Sequence, residues 1–174
     1  MFLLSYGLGG HLMAEPQNVQ VFGHWTMHCE ISEKETRQTQ CTIFQNVVLR
    51  KGGQRVLHLA IGYIPNQEMP VALVTLPLGI SLPPGASIQV DKNEPVSFPI
   101  ERCEVSGCRG GIKLSPQIVT RFKEGRRAYV IFHDQSREPI KVAVSLKGFA
   151  EGLEALRGPA PLPPVEEAPP AVND

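Results

Sequence analysis

The chain carries no surplus of charge of either sign: 17 lysines and arginines stand against 17 aspartates and glutamates. A formal net charge of zero removes the electrostatic footprint typical of a nucleic-acid binder. Aromatic residues are scarce, and Trp25 is the one tryptophan. The sequence contains no HExxH, GxSxG, phosphate-binding loop or GxGxxG, the short motifs through which catalysis and cofactor binding are most often read. No internal repeat occurs. No apolar stretch is long enough to cross a bilayer as a helix.

What is plentiful is punctuation. Sixteen glycines and 16 prolines in 174 residues favour many short elements joined by tight turns, as in all-β proteins. The length suits one domain with a real core and is short for two. The most apolar part is QRVLHLAIGYIPNQEMPVALVTLPLGISLPPG, from Gln54 to Gly85. Its two runs, Val56–Ile64 and Val71–Leu76, are separated by a polar loop pinned by Pro65 and Pro70. Apolar runs of this length, rich in β-branched residues and bounded by Gly and Pro, read as buried strands. The rest of the chain is expected to cover them.

On either side, shorter signals repeat. Val19–Cys29 reads as one strand, with Val19, Val21, Trp25, Met27 and Cys29 sharing a face and Gly23 marking a bulge or close backbone approach. Cys41–Arg50 is a strand that turns back through Lys51-Gly52-Gly53-Gln54. Ala86–Asp91 and Pro95–Cys103 form another hairpin, the second strand weakened as a ladder member by Pro95 and Pro99. Ser115-Pro116 opens a helix that Gly125 closes, with Ile118, Val119 and Phe122 as its apolar stripe. Arg126–Asp134 and Pro139–Leu146 are the last strands, and a short helix with Phe149, Leu153 and Leu156 on one face follows. The fold expected is an all-β sandwich or irregular barrel of about eight to ten strands with two short helices.

Cysteines bear on compartment. The four, Cys29, Cys41, Cys103 and Cys108, enclose two local loops, and bridges 29–41 and 103–108 are the simplest of the three pairings. A structural zinc is the rival, but the loop between Cys29 and Cys41 is too long for a zinc knuckle. Disulfides require an oxidising compartment. Residues 1–14, apolar from Phe2 to Ala14 apart from Ser5 and His11, resemble the apolar part of a secretory signal, with Leu12-Met13-Ala14 as the cleavage site. Residues 15–157 are expected to form the single β domain. Residues 158–174 (GPAPLPPVEEAPPAVND) lack the apolar content to pack and are expected to be a disordered Pro-rich tail.

Chemistry, if any, would rest on histidine. His58 interrupts an apolar run, and His133-Asp134 ends a strand at a turn where Asp commonly caps the bend. A His-containing cleft near His58 or His133 is the basis of the alternative reading, a small hydrolase or ligand carrier. Trp25 is read first as a core anchor beside the Cys29–Cys41 bridge. Its rival role, together with His24 and His28, is a surface for a partner. The basic residues Arg50, Lys51 and Arg55 flank a hairpin turn, and Arg121, Lys123, Arg126 and Arg127 cluster at a helix end.

Six segments then carry a resemblance: GHWTMHC at Gly23–Cys29, Cys41, QRVLHLAIGY at Gln54–Tyr63, PVALVTLPLGISLPPG at Pro70–Gly85, FPIERCEVSGC at Phe98–Cys108 and SLKGFAEGLEALR at Ser145–Arg157. In this order they resemble the invasion-associated locus B family, across nearly all of residues 17–157. The family commonly has Gly-Asp-Trp in the first segment, where this chain has His24. The resemblance implies an exported β-protein of Gram-negative bacteria, periplasmic or outer-membrane-associated, in a family linked in some pathogens to host-cell entry. It supplies no catalytic residues. The function expected is therefore non-enzymatic binding of an unknown protein or envelope component, without cofactor, metal or nucleic acid. Peripheral membrane association is compatible with it.

Overall fold

The computed structural model describes residues 19–31 and 39–158. The signal-like segment, the loop after Ile31 and all of the tail beyond Gly158 lie outside them. Among the described residues the chain forms β1 (Val19–Phe22), β2 (Trp25–Ile31), β3 (Thr39–Val48), β4 (Arg55–Tyr63) and β5 (Pro70–Leu76). Then come β6 (Ala86–Val90), β7 (Val96–Phe98), β8 (Ile100–Glu104) and β9 (Gly107–Lys113). Helix α1 (Pro116–Glu124), β10 (Arg127–His133), β11 (Pro139–Ser145) and α2 (Phe149–Ala155) complete it.

All pairings are antiparallel. A seven-stranded sheet runs in the order β1-β2-β3-β4-β5-β9-β8, and a four-stranded sheet in the order β11-β10-β6-β7. The apolar hairpin β4–β5 sits in the middle of the larger sheet, as its composition demands. Strand β4 shows why one face suffices. Leu57, Leu59 and Ile61 alternate with Val56, His58 and Ala60, and the first three are fully enclosed. Ile88, Val90, Ala128, Val130, Phe132 and Val144 of the smaller sheet meet them across the core. Phe122 of α1 and Phe149 of α2 close one end, their rings 5.1 Å apart. The fold is the expected sandwich.

The eleven strands among the described residues exceed the expected number because two readings split. Gly23-His24 is a two-residue turn, since Phe22 pairs with Trp25. The reversal puts Phe22 and Gln20 on the face of Trp25 and Met27, leaving Val19 and Val21 outside. Pro99 likewise divides Pro95–Cys103, so Val96–Phe98 joins the smaller sheet and Ile100–Glu104 the larger. A residue without an N–H is a natural place for a strand to change sheets.

Helix α1 follows its sequence signals. The Ser115 hydroxyl accepts from the Ile118 amide at 3.4 Å, Pro116 begins the helix, and Gly125 ends it with its amide donating to the Arg121 carbonyl. Only Phe122 of its stripe is fully buried; Ile118 and Val119 pack partly exposed against the core.

Both disulfides exist as paired: Cys29–Cys41 ties the directly opposed residues of β2 and β3, and Cys103–Cys108 ties β8 to β9. Gly23 and Gly148 mark a close crossing of the β1–β2 turn over the start of α2. Both have positive φ, and a Cβ on Gly23 would lie 2.5 Å from the Lys147 carbonyl oxygen. One on Gly148 would overlap the Phe22 carbonyl. Gly148→Ala is therefore expected to cost at least about 1 kcal/mol in equilibrium denaturation. An unchanged midpoint would show that the crossing relaxes freely.

Candidate functional site

The two sheets of a sandwich meet along open edges, and here one such edge is closed at one end and splayed at the other. Strand β11 is the edge of the smaller sheet and lies against β3 of the larger. At its C-terminal end the Ser145 carbonyl accepts the Trp25 indole N–H at 3.0 Å and the Gln45 amide at 2.6 Å. One step further, the His24 amide donates to the Lys147 carbonyl at 3.0 Å. Three donors from the larger sheet thus clasp this end.

Nothing comparable spans the other end among the described residues. There the β3–β4 hairpin is irregular: Val47 faces Leu57 but Val48 faces Arg55, so β4 carries Val56 as an extra residue. Such a bulge bends its strand and re-aims side chains. The result is a groove of about 640 Å³. It is lined by Val47, Val48, Leu49 and Val56, by Pro77–Ile80 and by Ile140–Ala143 of β11, with Phe132 and Asp134. Leu78, Val48 and Leu49 are 56%, 53% and 48% exposed, an apolar concentration with no core to serve. Of its charged residues, Lys141 turns its ammonium onto the Tyr129 ring and the Gln89 side chain. Asp134 is committed to its own turn, its Oδ1 accepting from the Ser136 and Glu138 amides. Lined this way, the groove suits recognition of apolar side chains.

The residues singled out in the sequence are placed differently. Trp25 is wholly enclosed, edge-on to Phe149 at 5.4 Å. It serves the core, and as a partner surface it is ruled out because no part of it meets solvent. Its partners are Phe149 and Ser145. His24 is exposed in the turn, and His28 lies on the outer face of β2 with Nε2 3.5 Å from Glu30. The three do not form one surface, because Trp25 and His28 point to opposite faces of β2.

His58 and His133 lie in different sheets. His133 has a buried Nδ1 without a partner among the described residues, and its carbonyl accepts from Ser81. His58 faces outward in a depression of about 320 Å³ with Thr75, Glu101, Arg102 and Arg109. Its Nδ1 is 2.9 Å from the Asn46 amide oxygen, which only accepts, so Nδ1 carries the proton. Arg102 and Arg109 are drawn to Glu104, at 3.1 and 3.9 Å. Among the described residues no carboxylate hydrogen-bonds the imidazole, as a general base of the triad type would require. Among the described residues no three His, Cys, Asp or Glu side chains converge as a metal site.

Burial first, and then the Arg55 and Arg109 charges, hold His58 below the usual histidine range. The folded state therefore disfavours the imidazolium. Its contribution to stability is present above the unfolded value of about 6.5 and is lost as pH falls from there toward the lowered folded value. Proton-detected titration of the ring should give a midpoint below that of a free histidine. A midpoint at or above it would contradict the arrangement.

No motif in the sequence marks the groove residues. Their signal was apolar residues where turns are usually polar: Leu49 beside a Gly-Gly turn, and Leu78 between Pro77 and Gly79.

Residues 25–157 match the family model described as Invasion associated locus B (IalB) protein. Invasion protein B homologs of Brucella abortus, from strain 2308 and from biovar 1 strain 9-941, are each 27% identical over 139 residues. Each alignment covers 79% of this chain and 78% of the relative. Among solved structures, invasion associated protein B from Bartonella henselae superposes with a TM-score of 0.72 at 20% identity, covering 80% of this chain and 94% of that one. At that identity the likeness speaks for the fold.

Proposed function

Because the chain belongs to the invasion associated locus B family, we propose that it is an exported, non-enzymatic envelope protein that holds a protein partner or surface component. The observation that carries this reading is the splayed groove with its exposed Leu49, Val48 and Leu78. Apolar surface gathered in one concavity at a sheet edge is a common mark of an interaction site. Two disulfides favour an oxidising compartment, the periplasm or the outer-membrane face, in keeping with the signal-like segment. Peripheral attachment to a membrane through the partner fits the same reading. The relatives are named as invasion proteins, and a part in entering host cells belongs to the proposal for this chain.

The test compares the wild-type protein with a Leu49→Asp, Leu78→Asp double variant as baits for cross-linking in envelope extracts. Both positions are half exposed, so the variant should melt at the wild-type temperature. A component held by the wild type should be retained about tenfold less by the variant. Equal retention would remove the groove as the binding site.

A further inference from the structure

Resting on that reading, we propose that the groove takes an extended, acidic segment of a partner protein, which adds as a further strand to the free edge of β11. The backbone makes the first half of the argument. The flanking bonds, Leu146 amide to Arg126 carbonyl and Asp134 amide to Glu138 carbonyl, fix which residues of β11 bond inward to β10. They are Ile140, Val142 and Val144. The N–H and C=O groups of Lys141, Ala143 and Ser145 therefore point outward. The Ser145 carbonyl confirms the parity, since Trp25 and Gln45 reach it from outside. Among the described residues no hydrogen bond reaches the outward groups of Lys141 or Ala143. Both residues line the groove. An edge with free donors and acceptors beside an apolar trough is the geometry of strand addition, in which the ladder gives affinity and every second side chain enters a pocket.

Charge selects the occupant. The hairpin tip beyond Leu49 carries Arg50, Lys51 and Arg55, all exposed, while the groove's carboxylate, on Asp134, is held by its own turn. A second copy would bring the same cations and no added negative charge to the groove. An acidic segment has the opposite sign. Its apolar residues enter between Leu49, Leu78 and Ile140, and its acids lie toward the tip.

The probe is a labelled peptide of about eight residues alternating valine with glutamate, titrated onto the full chain by fluorescence anisotropy. Binding should weaken about tenfold when lysine replaces glutamate. Amide N-methylation on one parity of residues should weaken it about tenfold or more, and on the other parity should not, because only one set faces β11. Ala143→Pro removes an outward N–H without touching the ladder to β10. It should keep the melting temperature and lose peptide binding to the same degree. Amide exchange at Lys141 and Ala143 should slow on binding. No binding of the valine–glutamate peptide, equal binding of the two methylated isomers, or equal binding of the lysine peptide overturns the proposal. So does a dimer in sedimentation that Ala143→Pro abolishes, which would make the occupant a second copy. If envelope capture still depends on Leu49 and Leu78 in any of those cases, the groove reading survives and the strand mode alone has failed.

Discussion

Trp25→Ala is expected to lower the unfolding free energy by about 3–5 kcal/mol. Two losses combine. The indole is wholly enclosed and packs edge-on to Phe149, so its removal leaves a void the sandwich cannot close. The Ser145 carbonyl also loses one of its two donors. Trp25→Phe separates them, since it keeps most of the packing while deleting the hydrogen bond, and should cost about 1 kcal/mol or somewhat more. Urea denaturation followed by circular dichroism measures both. In the wild type, Trp25 emission should be blue-shifted and shielded from acrylamide. A freely quenched signal and an unmoved denaturation midpoint in the alanine variant would mean that the indole is not in the core.

Removing the Cys29–Cys41 bridge by a Cys29→Ala, Cys41→Ala pair is expected to cost about 3 kcal/mol. The bridge closes a loop with a sequence separation of 12, and its loss restores freedom to the unfolded chain. It also fastens β2, which bears Trp25, to β3, which bears Gln45. The Cys103–Cys108 bridge closes a shorter loop, separation 5, and should matter less. Non-reducing peptide mapping of protein recovered from its own cells should show both bridges. Free thiols at all four positions would argue against an oxidising compartment.

What could be read from sequence was whatever depends on near neighbours. The β4–β5 hairpin, the Ser115 cap with Pro116, the Asp134 turn and both local bridges follow from residues a few positions apart, and each stands in the structure. What failed depended on a change of direction or on distant partners. An odd-numbered pattern groups Val19 and Val21 with Trp25, whereas the two-residue turn at Gly23-His24 inverts it. The carbonyl of Ser145, 120 residues from Trp25, carries no signal in the sequence near Trp25 that marks it as an acceptor. The groove was illegible for the same reason, since its walls come from β3, the Pro77–Ile80 loop and β11. Only the misplaced Leu49 and Leu78 hinted at it.

The clasp at Ser145 also sets an order of events as the chain acquires its structure. Strands β1 to β5 pair with their sequence neighbours, so most of the larger sheet, with its Cys29–Cys41 crosslink, can form from local encounters. The last strand must arrive before Trp25 and Gln45 find an acceptor, across separations of 120 and 100 residues. Closing loops of that size costs more chain entropy than the local pairings do. A chain shortened before Ser145 would hold an indole N–H and a carboxamide aimed at a missing oxygen, with the aromatic cluster uncovered by α2. Completion of the C-terminal elements is thus a checkpoint: the locally paired larger sheet gathers first, and the last strand and helix close it.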